Sequence, residues 1–115
     1  MDNLKNLKLF YKSEYRSFTN MINRCYNSNC KDYQYCGAKG IKVSSSWKSS
    51  FINFIQDMGK KPLPHPTHGN YTLGRVDNTQ HYSKENCVWI NMKQQAKNRS
   101  KRKVKNTSSH QLKLL

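Results

Sequence analysis

Between Lys60 and Asn70 the chain reads KKPLPHPTHGN, and this stretch limits every architecture open to it. Pro62, Pro64 and Pro66 each lack a backbone N–H and hold φ near one value, so neither a helix nor a central strand runs through them. The segment is a semi-extended connector. It separates a support region, residues 1–69, from a second unit, residues 70–103, with a basic tail at 104–115. These belong to one small domain, because 115 residues bury only about two thirds of their unfolded surface and make a thin core. A hydrophobic share of 35% is low for a folded chain, but 11% aromatic residues supply the large contact areas that such a core needs.

Upstream of the connector, Tyr11, Tyr15, Phe18 and Ile22 recur at helical spacing while Lys12, Glu14 and Arg16 point elsewhere, which predicts a helix over residues 11–24. Asn27, Ser28 and Asn29 mark the turn after it. In DYQYCGAKGIKVS, Gly37 and Gly40 permit a tight turn, and Ile41 and Val43 alternate with a lysine as in a short strand. Tyr33 and Tyr35 there either stack on bases or pack on the helix. Ser44 to Ser46 and Ser49 offer caps for a second helix, whose Trp47, Phe51, Phe54, Ile55 and Met58 share a packing face and which Gly59 stops.

The charge sets the partner. Twenty-one Lys and Arg against six Asp and Glu leave +15, an excess that repels itself unless a polyanion neutralises it, so nucleic acid leads. A membrane is not expected: no run approaches the ~18 apolar residues of a span, and MDNLKNLKLF lacks the apolar core and cleavage site of a signal peptide. An intracellular protein is expected, and intracellular cysteines are more often free thiols or metal ligands than disulfides. Cys25, Cys30, Cys36 and Cys87 lack the paired spacing of a zinc ribbon, so free thiols are the first reading and a structural Zn²⁺ the second. His65 and His68, set among prolines, read as exposed loop histidines.

Downstream, Tyr71, Leu73 and Val76 predict a strand interrupted by Gly74. Cys87 to Ile90 predict a second, and Asn91 caps a helix through Gln94, Gln95 and Asn98. Asp77 and Glu85 bracket the polar loop between the strands. Strand, loop, strand and helix can hold a loop residue opposite a helix residue, the arrangement that a one-metal phosphodiesterase needs.

At Leu73, Gly74, Arg75, Val76, Asp77 and Asn78, then Tyr82, Ser83, Glu85, Asn86, Cys87 and Trp89, and finally Gln95 and Asn98, the chain resembles the HNH (ββα-metal) endonucleases, in particular their small, often phage-encoded HNH-like members. Asn23 to Asn27, Tyr35 to Val43 and Trp47 to Gly59 extend the resemblance through most of the chain. It implies an α+β fold, a small helical N-terminal half followed by a ββα-metal motif, in a bacterial or phage-infected cytoplasm. It also implies a DNA endonuclease that hydrolyses phosphodiester bonds of double-stranded DNA with Mg²⁺ or another divalent metal.

Gly74 and Arg75 stand where the superfamily usually has an Asp-His pair, and arginine keeps its proton and is a poor base. The resemblance then implies that Arg75 steadies charge on the scissile phosphate and Tyr82 takes part in the attack. Asn86 would clamp the loop. Asp77 and Gln95 are the implied metal ligands, with Asp77 equally readable as a loop cap. His81 reads as a bystander. Lys39 and Lys42, and beyond the site Lys93, Lys97, Arg99, Lys101 and Arg102, can follow a DNA backbone. A homodimer would suit double-strand cleavage. A second reading keeps the fold and drops the chemistry: a catalytically inactive DNA-binding protein whose metal site is lost at Gly74. A third is a zinc-stabilised RNA-binding protein.

Overall fold

A computed structural model describes residues 2–101. The architecture is mixed α and β, a helical half followed by one two-stranded sheet and a last helix. Among the described residues no helix is long and apolar enough to cross a membrane. Arg102 and the tail from 104 lie outside them.

The chain begins with α1 (Asp2–Phe10), which the sequence did not lead one to expect, and turns at Tyr11 into α2 (Lys12–Tyr26). The stripe that α2 buries is rotated from the expected one. Glu14, Phe18, Met21 and Cys25 face inward, while Tyr11, Tyr15 and Ile22 flank them half-buried. Glu14, expected on a polar side, is buried because its Oε2 accepts the Lys61 backbone N–H at 2.8 Å. Lys61 in turn donates from Nζ to Ser13 Oγ at 2.7 Å and lies over the Trp89 ring. One acid thus ties the start of α2 to the proline connector. The helix runs past Arg24 to Tyr26, and Asn27 Oδ1 accepts the Asn29 N–H at 3.0 Å, closing the turn that the sequence marked.

Residues 31–43 depart from expectation. Two 3₁₀ turns, Lys31–Tyr35 and Gly37–Lys39, lead to Gly40 at φ +84°, where a side chain would strain the backbone. The expected strand at Ile41–Val43 shrinks to a single parallel bridge between Val43 and Tyr82. Side chains take the donors that a ladder would use: the Lys42 N–H goes to His81 Nδ1 at 2.9 Å, and the Val43 N–H to the Tyr26 hydroxyl at 3.0 Å.

The expected second helix is two, α3 (Ser45–Lys48) and α4 (Phe51–Met58). Ser50 splits them, because its Oγ accepts the Asn53 N–H at 3.1 Å and so starts a new helix. The packing face survives the break. Trp47 and Phe54 are fully buried and meet edge to face with ring centroids 4.9 Å apart, while Phe18 and Phe51 pack on Phe54. Trp47 Nε1 donates to Asp57 at 2.8 Å. Gly59, at φ +69°, ends α4.

After the connector, β1 (Thr72–Arg75) pairs antiparallel with β2 (Cys87–Ile90) in the register Leu73 to Trp89 and Gly74 to Val88. Gly74 therefore sits within the ladder and does not interrupt it. Trp89 Nε1 donates to the carbonyls of Met58 at 3.1 Å and Gly59 at 3.3 Å, docking the hairpin on the end of α4. Asn91 then starts α5 (Met92–Lys101) by a reciprocal cap: Asn91 Oδ1 accepts the Gln94 N–H at 3.0 Å, and Gln94 Oε1 accepts the Asn91 N–H at 2.9 Å.

Phe54 is the hub of this core, so Phe54→Ala should cost about 3–5 kcal/mol of unfolding free energy. Exposed Leu63→Ala should stay within about 0.5 kcal/mol. Urea titrations of both variants test the contrast.

Candidate nucleic-acid interface

Two features of the hairpin position the site. The first is a clamp. Asn86 Oδ1 accepts the Asp77 N–H at 2.9 Å, and its Nδ2 donates to the carbonyls of Asp77 at 3.0 Å and His81 at 2.9 Å. One amide thereby folds the loop from 77 to 86 back on itself. The second is Arg75, whose Nη1 donates to the carbonyls of Asn78 and Gln80, both at 2.8 Å, so the guanidinium is held by the loop that the clamp shapes. Beneath it the Tyr82 ring lies with its centroid 4.8 Å from the guanidinium carbon, a cation–π pair.

A small cavity of about 190 Å³ opens here. Arg24 reaches it from α2, Asp32 and Tyr35 from the first 3₁₀ turn, Gly74 and Arg75 from β1, Tyr82 from the loop and Gln95 from α5. Arg75, Tyr82 and Gln95, far apart in the chain, are thus brought together. Asp77 is not in the lining. Its Oδ1 accepts the backbone N–H of Thr79 at 2.9 Å and that residue's hydroxyl at 2.6 Å, which holds its carboxyl below the usual range and makes it a loop cap. Tyr82 is only 3% exposed. Burial pushes its phenol up, against the pull of Arg75 and Arg24, so it serves as an apolar floor that keeps its proton.

Sequence reasoning missed Arg24 and Asp32, and it had Tyr35 as a residue that either stacks on bases or packs on the helix. Arg24 Nε lies 3.6 Å from Asp32 Oδ2. Burial works against its charge, but Tyr82 and Asp32 outweigh burial and hold the guanidinium protonated. The signal for it was present, since Arg24 falls within the Asn23–Asn27 segment of the resemblance. Lys39 borders a larger groove beside the cavity, and Lys42 and Lys93 are exposed. Lys97, Arg99 and Lys101 fall on α5. His81 accepts the Lys42 N–H at its Nδ1.

The donor set around the cavity does not suit a hard dication, which wants several oxygens and usually a carboxylate of its own. Asp32 is engaged by Arg24, Asp77 caps its loop, and Gln95 adds only a neutral amide to the lining that Arg24 and Arg75 share. A Cβ at Gly74 would run into the buried Ile90 side chain, which fills the place where a carboxylate would start. What the cavity offers is a concave, cationic surface for an anion.

Comparison of the chain with protein-family models, with curated proteins and with solved structures finds no match.

The four cysteines are free thiols, three of them buried. Burial pushes Cys87 up to about 12 and Cys25 to about 11, from an ordinary 9.0. A raised pKa in the fold means that the unfolded chain releases the proton first. Stability should therefore hold below pH 9 and fall as pH rises beyond it, more gently in Cys87→Ala. Urea midpoints across that range test this. Asn86→Ala, which removes all three clamp bonds, should cost about 2–3 kcal/mol by the same measurement.

Proposed function

We propose that this chain is a double-stranded-DNA-binding protein on an HNH-like ββα scaffold, and that its Arg24–Arg75 cavity grips a backbone phosphate without cutting it. The observation that carries this reading is the convergence of two guanidinium groups and the Gln95 amide on one small concavity in a chain of net charge +15. Planar guanidinium groups match phosphate oxygens in pairs, and a half-buried setting strengthens each bond. Tyr82 stiffens the grip from below and Asn86 from behind. Lys39 and Lys42, with Lys93, Lys97, Arg99, Lys101 and Arg102, would extend it along the duplex, with little regard for sequence.

Hydrolysis is the second reading. It is favoured by the meeting of Arg75, Tyr82, Gln95 and Gly74, the positions at which the resemblance puts a phosphodiesterase centre. On that reading Arg75 steadies the charge that grows on the phosphate and Asn86 keeps the loop in register. The donor set counts against it, and no step is assigned to a metal.

Supercoiled plasmid incubated with the protein and Mg²⁺ or Mn²⁺, with and without EDTA, separates the two. The expected result is a metal-independent gel shift and intact plasmid. Metal-dependent nicking that disappears in Arg75→Ala and Gln95→Ala would establish the nuclease instead. Arg75→Ala should also weaken duplex binding about 10-fold or more and reduce the slope of log affinity against log salt by about one.

A further inference from the structure

Tyr33 and Tyr35, two residues apart, have opposite surroundings. Tyr33 is half-buried, and its ring lies so close over Gly37 that a Cβ there would strike it. Tyr35 is 59% exposed, and its ring has no aromatic or cationic partner among the described residues. Phe10 and Leu63 are more exposed still, so exposure alone does not single it out; its position does, because Tyr35 lines both the phosphate cavity and the adjoining groove.

That groove, about 720 Å³, falls within the roughly 300–1,000 Å³ usual for small-molecule clefts. Its walls are Tyr35, Lys39, Ile41, Arg75, Asn78 and Thr79. Ile41 is buried and gives an apolar floor, while Lys39 stands exposed at the rim. The Asn78 side-chain amide makes no hydrogen bond among the described residues, so it has both a donor and an acceptor to offer. An aromatic face, a two-way amide and a neighbouring cationic cavity are the complements of one nucleotide: a ring, a polar edge and a phosphate.

We propose that the groove is a nucleobase subsite, and that the protein takes an unpaired nucleotide with its base on Tyr35, its edge at the Asn78 amide and an adjoining phosphate between Arg24 and Arg75. This rests on the DNA-binding reading and names the nucleic acid it favours. In an intact duplex both faces of each base are covered by stacking, and Tyr35 has nothing to stack on. At a bulge, a mismatch or a single-stranded junction a base is already released, and the energy of unstacking it has already been spent.

Fluorescence anisotropy with three short duplexes tests this: one fully paired, one with a single bulged nucleotide, and one in which that nucleotide is abasic. Wild-type protein should prefer the base-bearing bulge by roughly 5- to 150-fold, the range that one base–aromatic stack supplies. The preference should vanish with the abasic bulge and in Tyr35→Ala, and persist in Tyr35→Phe. Equal affinity for paired and bulged duplexes overturns the subsite while leaving DNA binding intact. A preference that survives the abasic bulge or Tyr35→Ala overturns it as well, since flexibility of the bulge would then be the cause. No binding to any duplex overturns the DNA-binding reading and this inference with it.

Discussion

One indole fixes the hairpin downstream of the prolines to the end of α4. Helix α4 ends in carbonyls that need donors, and the connector that follows is poor in them because every second residue from Pro62 to Pro66 lacks an N–H. Trp89 supplies the donor from β2, bonding Met58 and Gly59 at once. A helix terminus is thereby completed by a residue thirty positions away, and the hairpin is fixed against the helical half. That docking helps to form the cavity, together with the Val43–Tyr82 bridge and the Lys42 bond to His81, since Arg24 and Asp32 belong to one side of the connector and Arg75 and Gln95 to the other.

The parts of this structure that were legible in the sequence are those whose cause is local. The Asn91 cap, the Gly59 stop, the Asn27 turn and both strands of the hairpin follow from a few adjacent residues, and their bounds came out close to expectation. Errors arose where a distant group decided the outcome. Glu14 looked solvent-directed until the Lys61 amide made a buried acceptor useful there. The Ile41–Val43 strand failed because His81 and Tyr26 took its donors. The helix break was local but ambiguous, because Ser44 to Ser46 and Ser49 were the expected caps and it is Ser50 whose hydroxyl engages a backbone N–H of the following helix.

The candidate site divides along the same line. Arg75, Tyr82, Asn86 and Gln95 were recognisable by their order and spacing, and Asn86 has the clamp geometry expected of it. Arg24 was hidden because a lone cation near the end of a helix has no local mark of function, and only the packing of α2 behind the hairpin gives it one. Tyr82 changes meaning once its burial is known. Its ring lies under a guanidinium, where an aromatic face steadies charge, and burial holds its phenol protonated more firmly.

The close approach of Ile90 to Gly74 across the sheet has a consequence for substitution at either position. Ile90 is almost fully buried, and its side chain occupies the space that a residue larger than glycine at 74 would need, with Ile90 Cγ1 only 2.8 Å from that would-be Cβ. The two positions are therefore not independent. A side chain can enter at 74 only if the Ile90 side chain shifts or is made smaller, and a bulkier residue at 90 would tighten the same space. The cost of a carboxylate at 74 is thus set in part by what stands behind it at 90, a coupling that neither position shows on its own.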